Sequence, residues 1–329
     1  MTNIAIAPAV APSPQQDRPM SPRKPLPQSL IKGAQIPDWV PFDAEKHANF
    51  KFPQRIITMK DIGLEGVGIT STAISEPLTL FTIEAIRQMR AEIFSRQVLE
   101  KYQVGSDLAT NMIRGYCPEK SSFIYDAWNS PAVLGALSNI AGIELVPAMD
   151  VDIGHVNISV RDDAATTSAP DSDADDKVAF EWHSDSYTFV CVTMLSDCAG
   201  MIGGETVIRT GTGKGTAVIM QGRYIEHQAL KAFGGRERIS MVTSLRPKSP
   251  FVRDETSIRP LLPITPRNTL YYQYVEYRLE NLEERVRHLL KVIRQQKKAN
   301  RDFDVASARK FLLEERDFID AMLEELEDS

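Results

Sequence analysis

The sequence predicts a mainly β domain with helices before and after it. Between about residues 145 and 274, short segments rich in β-branched and aromatic residues are separated by turn signals. Helical spacing of apolar residues is found only before and after this region. The composition, 43% hydrophobic and 25% charged, is that of a folded globular protein. Many short strands without long helices between them favour a sandwich, a jelly roll or a barrel.

Length, charge and cysteine content narrow the class further. A chain of 329 residues exceeds the ~150 typical of one domain, but it fits one large barrel with added elements. The net charge of −6 argues against a nucleic-acid binder. No stretch approaches the ~18 apolar residues of a membrane helix. Three cysteines cannot form a closed disulfide framework, and the first residues lack a secretory signal, so we expect a cytoplasmic location.

Proline content marks off the beginning of the chain. Ten of the twenty prolines fall within residues 1–53, without helical or alternating periodicity. We therefore expect residues 1–48 to be a Pro-rich, largely disordered arm, with about residues 1–30 disordered and the remainder able to pack on the body. The main domain would then span residues 49–274, and residues 275–329 would be a helical extension.

Two helices are predicted before the strand-rich region. Apolar residues recur at roughly helical spacing over 77–102, with Glu and Arg between them. A shorter helix is predicted over 131–141, because Ser130 and Pro131 form a start signal and Gly142 a stop signal.

Seven strands are predicted in the central region. They span residues 155–161, 178–182, 189–194, 205–209, 216–221, 239–245 and 269–274. The first two are separated by residues 162–177, which include six aspartates and almost no apolar side chain. This composition predicts a mobile loop, which either gates the site or is a solvated insertion without a role.

Apolar periodicity returns after Tyr274. One face runs over residues 279–293 and another over 311–326, and a break at 300–304 joins them in a helical hairpin. We expect this hairpin to pack on the body; the alternative is a homodimer through the C-terminal helices.

Two histidines and an aspartate form the strongest chemical pattern. His183 and Asp185 follow the predicted strand 178–182, and His227 lies 42 residues after Asp185, beyond another strand. Two histidines and one carboxylate can bind one face of an octahedral metal, as in the facial triad of non-haem Fe(II) oxygenases. A strand-end histidine with a hydrogen-bonded carboxylate neighbour is the structural alternative.

An arginine and a serine follow eleven positions after His227. Arg238 and Ser240 alternate onto one face of a strand, where they can clamp the distal carboxylate of a dicarboxylate ligand. On the earlier strand, His155 and Asn157 alternate in the same way. Asn157 can bond a ligand there or be a structural asparagine.

The order of these elements is that of a known enzyme superfamily. An HxD pair, a histidine about forty residues later and an RxS pair resemble the Fe(II)/2-oxoglutarate-dependent dioxygenases. The resemblance covers roughly residues 53–275, and its motifs lie within 183–240. Further stretches are similar to a fungal small-molecule branch, namely ITMKDIG, EAIRQMRAEIFS, WHSDSYTFVCVTMLSD, GGETVI and MQGRYIEHQAL.

This resemblance implies a fold, a cofactor and a reaction. The core would be a double-stranded β-helix, a jelly roll of cupin type, with N-terminal helices and a C-terminal helical hairpin. His183, Asp185 and His227 would bind Fe(II), and Arg238, Ser240 and Asn157 would bind 2-oxoglutarate. With O₂, such an enzyme oxidises an unactivated C–H bond by hydroxylation, desaturation or oxidative cyclisation. The branch implies a small amino acid or an amino-acid-derived metabolite as substrate, for which Ser186, Phe189 and Arg223 are candidate contacts.

Two other functions fit parts of the same pattern. One is a non-catalytic jelly-roll protein that binds a metal or ligand and acts through its helical C-terminus. The other is a cupin-like iron enzyme that does not use 2-oxoglutarate; the RxS pair counts against it.

Overall fold

The computed structural model describes residues 25–105, 111–160, 178–197, 202–203, 215–230, 232–233 and 237–326. It has a mixed α/β architecture with one large antiparallel sheet, and its long C-terminal helices make it more helical than the mainly β prediction. The helices are α1 Gln28–Gly33, α2 Ala44–His47, α3 Ile83–Ile93, α4 Arg96–Tyr102, α5 Ser122–Asn129, α6 Pro131–Ala141, α7 Arg267–Lys298 and α8 Val305–Glu325. The strands are β1 Ala48–Lys51, β2 Ile56–Thr58, β3 Thr72–Ser75, β4 Leu78–Phe81, β5 Gln103–Val104, β6 Met112–Ile113, β7 Leu145–Pro147, β8 His155–Val160, β9 Val178–His183, β10 Phe189–Met194, β11 Ile202–Gly203, β12 Thr216–Met220, β13 His227–Leu230, β14 Ala232–Phe233 and β15 Glu237–Pro247.

Eleven of the described strands form the large sheet. Its main path runs β1-β4-β12-β10-β15-β8-β6-β5, and the described strands do not close into a barrel. Two small antiparallel sheets accompany it, one made of β9 and β13 and the other of β11 and β14. From β8 to β13, successive strands in the described part of the chain therefore alternate between the large sheet and a small one.

The two faces of the large sheet pack against different parts of the chain. One face packs against α3, α5 and α6, and Cys191, Ile239 and Met241 belong to this core. The other face contributes Val190 and Val242, which belong to a second cluster together with Ile225. Because side chains alternate along a strand, neighbouring residues of β15 belong to opposite faces. We call these the helix-covered face and the site face.

The predicted helix over 77–102 is wrong at its start and in its middle. Residues 78–81 form β4, which pairs with β1 and β12. Helix α3 begins after Thr82, whose side chain accepts a hydrogen bond from the Ala85 backbone N–H, and Ser95 caps α4 in the same way. These two caps divide the segment, and apolar spacing alone did not reveal them. The helix predicted over 131–141 is confirmed, with Gly142 in the left-handed conformation at φ 74°.

The strand predicted over 269–274 is also wrong. These residues belong to α7, which starts at Arg267 and buries Leu270, Tyr274 and Tyr277 at helical spacing. The aromatic residues favoured a strand, but the buried Leu270, Tyr274 and Tyr277 lie at i, i+4 and i+7 and cover one side of a helix instead.

The C-terminal hairpin packs on the body, as predicted. Arg278 is buried; it donates to the Asp254 carbonyl and lies 3.7 Å from the centre of the Phe318 ring. Further along, Arg285 and Glu315 join α7 to α8 with a 2.6 Å ion pair.

The part of the arm that the structure describes is ordered against the core. Leu26 and Leu30 are buried, so the predicted disorder does not extend to these residues. Residues 1–24, the aspartate-rich segment 162–177 and the strand predicted at 205–209 lie outside the described residues. None of the described helices is both long and apolar enough to cross a membrane.

Candidate metal centre

The three predicted metal ligands come together at the end of one small sheet. His183 is the last residue of β9, and His227 is the first residue of β13 and pairs directly with it. Asp185 follows two residues after His183, and its backbone N–H donates to the Gly222 carbonyl at 3.0 Å. The pairing of β9 with β13 thus brings together residues that are far apart in sequence.

The distances within this cluster suit a shared ion. Asp185 Oδ1 lies 3.8 Å from His183 Nε2 and 3.6 Å from His227 Nε2. These separations exceed hydrogen-bonding distance, but ligands about 2.0–2.2 Å from one ion lie ~3–4 Å apart. One donor atom from each of the three residues lies within 4.8 Å of the others, so the three side chains could hold a metal ion.

Backbone contacts orient His227 for metal binding. Its Nδ1 lies 2.9 Å from the Ile225 carbonyl oxygen, which can only accept a hydrogen bond. The ring proton is therefore on Nδ1, and Nε2 presents its lone pair toward Asp185. Metal-binding histidines are commonly held in this way by a carbonyl on the other ring nitrogen.

The Asp185 carboxylate has an oxygen that the described residues do not satisfy. Its Oδ2 is buried and has no hydrogen-bond partner among them. Burial raises the pKa of Asp185, while His227 and His183 oppose that shift. A buried carboxylate oxygen without a protein partner is costly, and a metal ion beside two histidines would supply the missing positive charge.

Gly222 makes room for this carboxylate. A Cβ atom at position 222 would lie 1.8 Å from Asp185 Oδ2, which no side chain can accommodate without a shift. The glycine therefore allows the turn between β12 and β13 to approach the metal cluster closely.

Arg238 and Ser240 lie on the site face of the large sheet. Arg238 Nη1 lies 3.5 Å from Ser240 Oγ, and Ser240 is opposite Asn157 on β8. Both residues share the face of Val242, which packs in the cluster that contains Ile225. Because Ile225 is two residues before His227, the predicted carboxylate clamp and the metal ligands lie on the same side of the sheet.

The three candidate substrate contacts are placed differently. Ser186 directly follows Asp185, and Arg223 lies in the turn next to Gly222. Phe189 is fully buried in the helix-covered core. The structure therefore does not bring Phe189 to the site, because its position on β10 alternates with that of Val190 on the site face.

A buried polar network beside the site was not predicted from the sequence. Asp152 accepts a hydrogen bond from the Tyr187 hydroxyl and forms an ion pair with Arg114. Arg114 also donates to Thr265 at 2.9 Å and contacts His155 at 3.2 Å. Of these residues, Tyr187 lies close to the metal ligands in sequence, two residues after Asp185. Its partners in the network are distant in sequence, so the sequence pattern did not reveal them.

Comparisons with known proteins find distant likeness among solved structures alone. No protein-family model and no curated protein matches the chain. Among solved structures, the chain is similar to an oxidoreductase of the 2OG-Fe(II) oxygenase family from Burkholderia pseudomallei. The two are 14% identical with a TM-score of 0.31, over 46% of this chain and 76% of the other.

Proposed function

We propose that this chain is an Fe(II)- and 2-oxoglutarate-dependent oxygenase that oxidises a C–H bond of a small molecule. One observation carries the proposal: the His183, Asp185 and His227 cluster lies on the same side of the large sheet as Arg238 and Ser240. The first set suits a metal that keeps positions open for other ligands, and the second suits a carboxylate.

The strand arrangement supports a jelly-roll interpretation of the core. Strands β8, β15, β10 and β12 are neighbours in the large sheet, whereas β9 pairs with β13 apart from it. Alternation of successive strands between a large sheet and strands outside it resembles the alternation between the two sheets of a jelly roll.

Each residue would have a distinct part in the reaction. His183, Asp185 and His227 would hold Fe(II), with the Ile225 carbonyl keeping His227 in the required tautomer. Arg238 would bind the distal carboxylate of 2-oxoglutarate, and Ser240 would add a hydrogen bond. Fe(II) and 2-oxoglutarate, when bound, would supply the oxidising chemistry, in which O₂ is consumed and 2-oxoglutarate becomes succinate and CO₂.

The proposal also includes the type of oxidation and the class of substrate. A carboxylate at position 185 favours hydroxylation, desaturation or oxidative cyclisation. The substrate class we propose is a small amino acid or amino-acid-derived metabolite, with Ser186 and Arg223 beside it. The fungal branch resemblance supports this choice, and a screen of such compounds for stimulated succinate release tests it.

The role of Arg238 can be tested by a binding titration. In Arg238→Ala, the affinity of the Fe(II)-loaded protein for 2-oxoglutarate should fall about a hundredfold or more, because losing the charged partner of a buried carboxylate costs roughly 3–5 kcal/mol. Anaerobic calorimetry measures this. The matched control is Arg87→Ala, which removes an exposed arginine on α3. Equal affinities in the wild type and Arg238→Ala would mean that the clamp lies elsewhere.

A further inference from the structure

His155 is held in one tautomer by a buried arginine. Its Nδ1 lies 3.2 Å from Arg114 Nη1, and a guanidinium can only donate hydrogen bonds. Nδ1 must therefore accept, and the ring proton is on Nε2. Arg114 is fixed in turn by Thr265 and Asp152.

The donor that results has no acceptor in the described part of the chain. His155 Nε2 is buried and lacks a hydrogen-bond partner there, as does Asn157 Oδ1 on the same strand. Buried polar groups are nearly always paired in native proteins. The unpaired Nε2 donor of His155 therefore indicates a place where an acceptor atom of a ligand completes the hydrogen bonding.

Strand pairing puts this donor on the site face. His155 lies opposite Val242, and Asn157 lies opposite Ser240. His155 thus shares the side of the sheet that holds the carboxylate clamp and faces the metal cluster.

The polar network puts His155 toward the metal end of that face. Arg114, which contacts His155, pairs with Asp152, and Asp152 accepts from Tyr187. Tyr187 is two residues after the metal ligand Asp185. Arg238 is opposite Ser159, four residues further along β8, or about 13 Å at ~3.3 Å per residue. A ligand held at its far end by Arg238 would therefore bring its metal-binding end toward His155.

We propose that His155 donates its Nε2 hydrogen to the 2-oxo-acid end of 2-oxoglutarate and so positions the co-substrate at the metal. This inference rests on the proposed function and adds to it a residue that binds the end of the ligand opposite Arg238. The role is that of a fixed hydrogen-bond donor. Burial and the nearby Arg114 lower the pKa of His155 to about 3, so the ring is neutral and keeps this donor at neutral pH.

Three substitutions separate this role from a structural one. His155→Gln keeps an N–H near the position of Nε2, and His155→Asn keeps an acceptor near the position of Nδ1 for Arg114. His155→Leu keeps neither. If the Nε2 donor binds the ligand, the His155→Gln variant should retain the affinity for 2-oxoglutarate. The His155→Asn and His155→Leu variants should bind it about tenfold to a hundredfold more weakly, as expected when a hydrogen bond to a charged group is lost.

Calorimetric titration of 2-oxoglutarate into the Fe(II)-loaded protein without O₂ gives these affinities, and thermal melting reports the fold of each variant. If the His155→Leu variant does not fold, the His155→Asn variant still removes the Nε2 donor and keeps a hydrogen-bond acceptor for Arg114. If a folded His155→Asn or His155→Leu variant binds 2-oxoglutarate as tightly as the wild type, the inference is overturned and the proposed function stands. A wild-type protein that binds Fe(II) but not 2-oxoglutarate would overturn both.

Discussion

Asp185 is the centre of the proposed metal site, because its Oδ1 lies within 3.8 Å of Nε2 of both His183 and His227. Replacing any of the three residues by alanine should lower Fe(II) affinity by more than the ~10–100-fold that loss of a supporting partner costs. The fold should remain, since His183 lies at the end of its strand and is partly exposed. Equilibrium dialysis against Fe(II) under anaerobic conditions measures the binding.

The matched control for these variants is His288→Ala. His288 is on α7 and contacts Phe251, away from the cluster. It should bind Fe(II) like the wild type. Unchanged Fe(II) binding in a folded Asp185→Ala protein would rule out Asp185 as a ligand.

The lowered pKa of His155 predicts an effect of pH on stability. The unfolded histidine titrates near pH 6.5, whereas its pKa in the folded protein is about 3. Between these values the unfolded state binds the extra proton, so stability is fully present above about pH 6.5 and is lost as pH falls through this range. From pH 7.5 to pH 5, the loss from this residue should be roughly 1–2 kcal/mol.

Urea unfolding of the wild type and His155→Gln at both pH values isolates that contribution. Other acidic groups affect the two proteins equally, so the difference between them reports His155. The variant should lose less stability on acidification. The same loss in both proteins would contradict a histidine that stays neutral in the folded state.

The turn between β12 and β13 shapes the site. A Cβ at Gly222 would lie 1.8 Å from Asp185 Oδ2, so Gly222→Ala should displace the carboxylate or the turn. We expect Fe(II) affinity to fall by roughly 10–100-fold, the range found when metal-supporting contacts are lost. Gly135→Ala on α6 is the control, because a Cβ there meets nothing within 4 Å. If Gly222→Ala binds Fe(II) normally, close approach of the turn is not required.

The sequence predicted those elements whose signals are local. The Ser130–Pro131 start and Gly142 stop predicted α6 with its correct bounds. The spacing of His183, Asp185 and His227 predicted a metal cluster, and the pairing of β9 with β13 brings these residues together. Residues 269–274 were assigned to a strand because aromatic side chains have strand propensity, but their burial against the body depends on tertiary contacts.

Other parts of the site depend on contacts between distant segments. Arg114, Asp152 and Tyr187 come from three separate parts of the chain, and none of them carries a motif. Phe189 was a candidate substrate contact, but strand alternation directs it to the helix-covered core. The face of the sheet on which such a side chain lies follows from the register of strand pairing, and the sequence pattern did not specify that register.

The homodimer through the C-terminal helices stays a prediction, and α8 offers a surface for it. Leu312, Ile319 and Leu323 are 63%, 40% and 61% exposed and follow one side of the helix. Arg309 and Lys310 lie near the start of α8, and Asp320 and Glu324 lie near its end. An antiparallel pair of α8 helices from two copies would therefore match opposite charges around an apolar centre.

Charge reversal tests this arrangement. The wild type should sediment as a dimer, and a variant with Arg309→Glu and Lys310→Glu should shift toward the monomer. Mixing it with a variant that carries Asp320→Lys and Glu324→Lys should restore a mixed dimer. Lys60→Glu, at an exposed residue of the body, is the control. A monomeric wild type, or reversal variants that remain dimeric, would exclude the α8 interface.

Release of succinate from 2-oxoglutarate by the purified protein in the presence of O₂, with and without Fe(II), tests whether the metal cluster and the carboxylate clamp together make an oxygenase. Succinate release should require Fe(II), stop on chelation, be abolished in Asp185→Ala and rise when a substrate is found. A protein that binds Fe(II) and 2-oxoglutarate, yet releases no succinate under these conditions or in a screen of small amino acids and their derivatives, would contradict the proposed function.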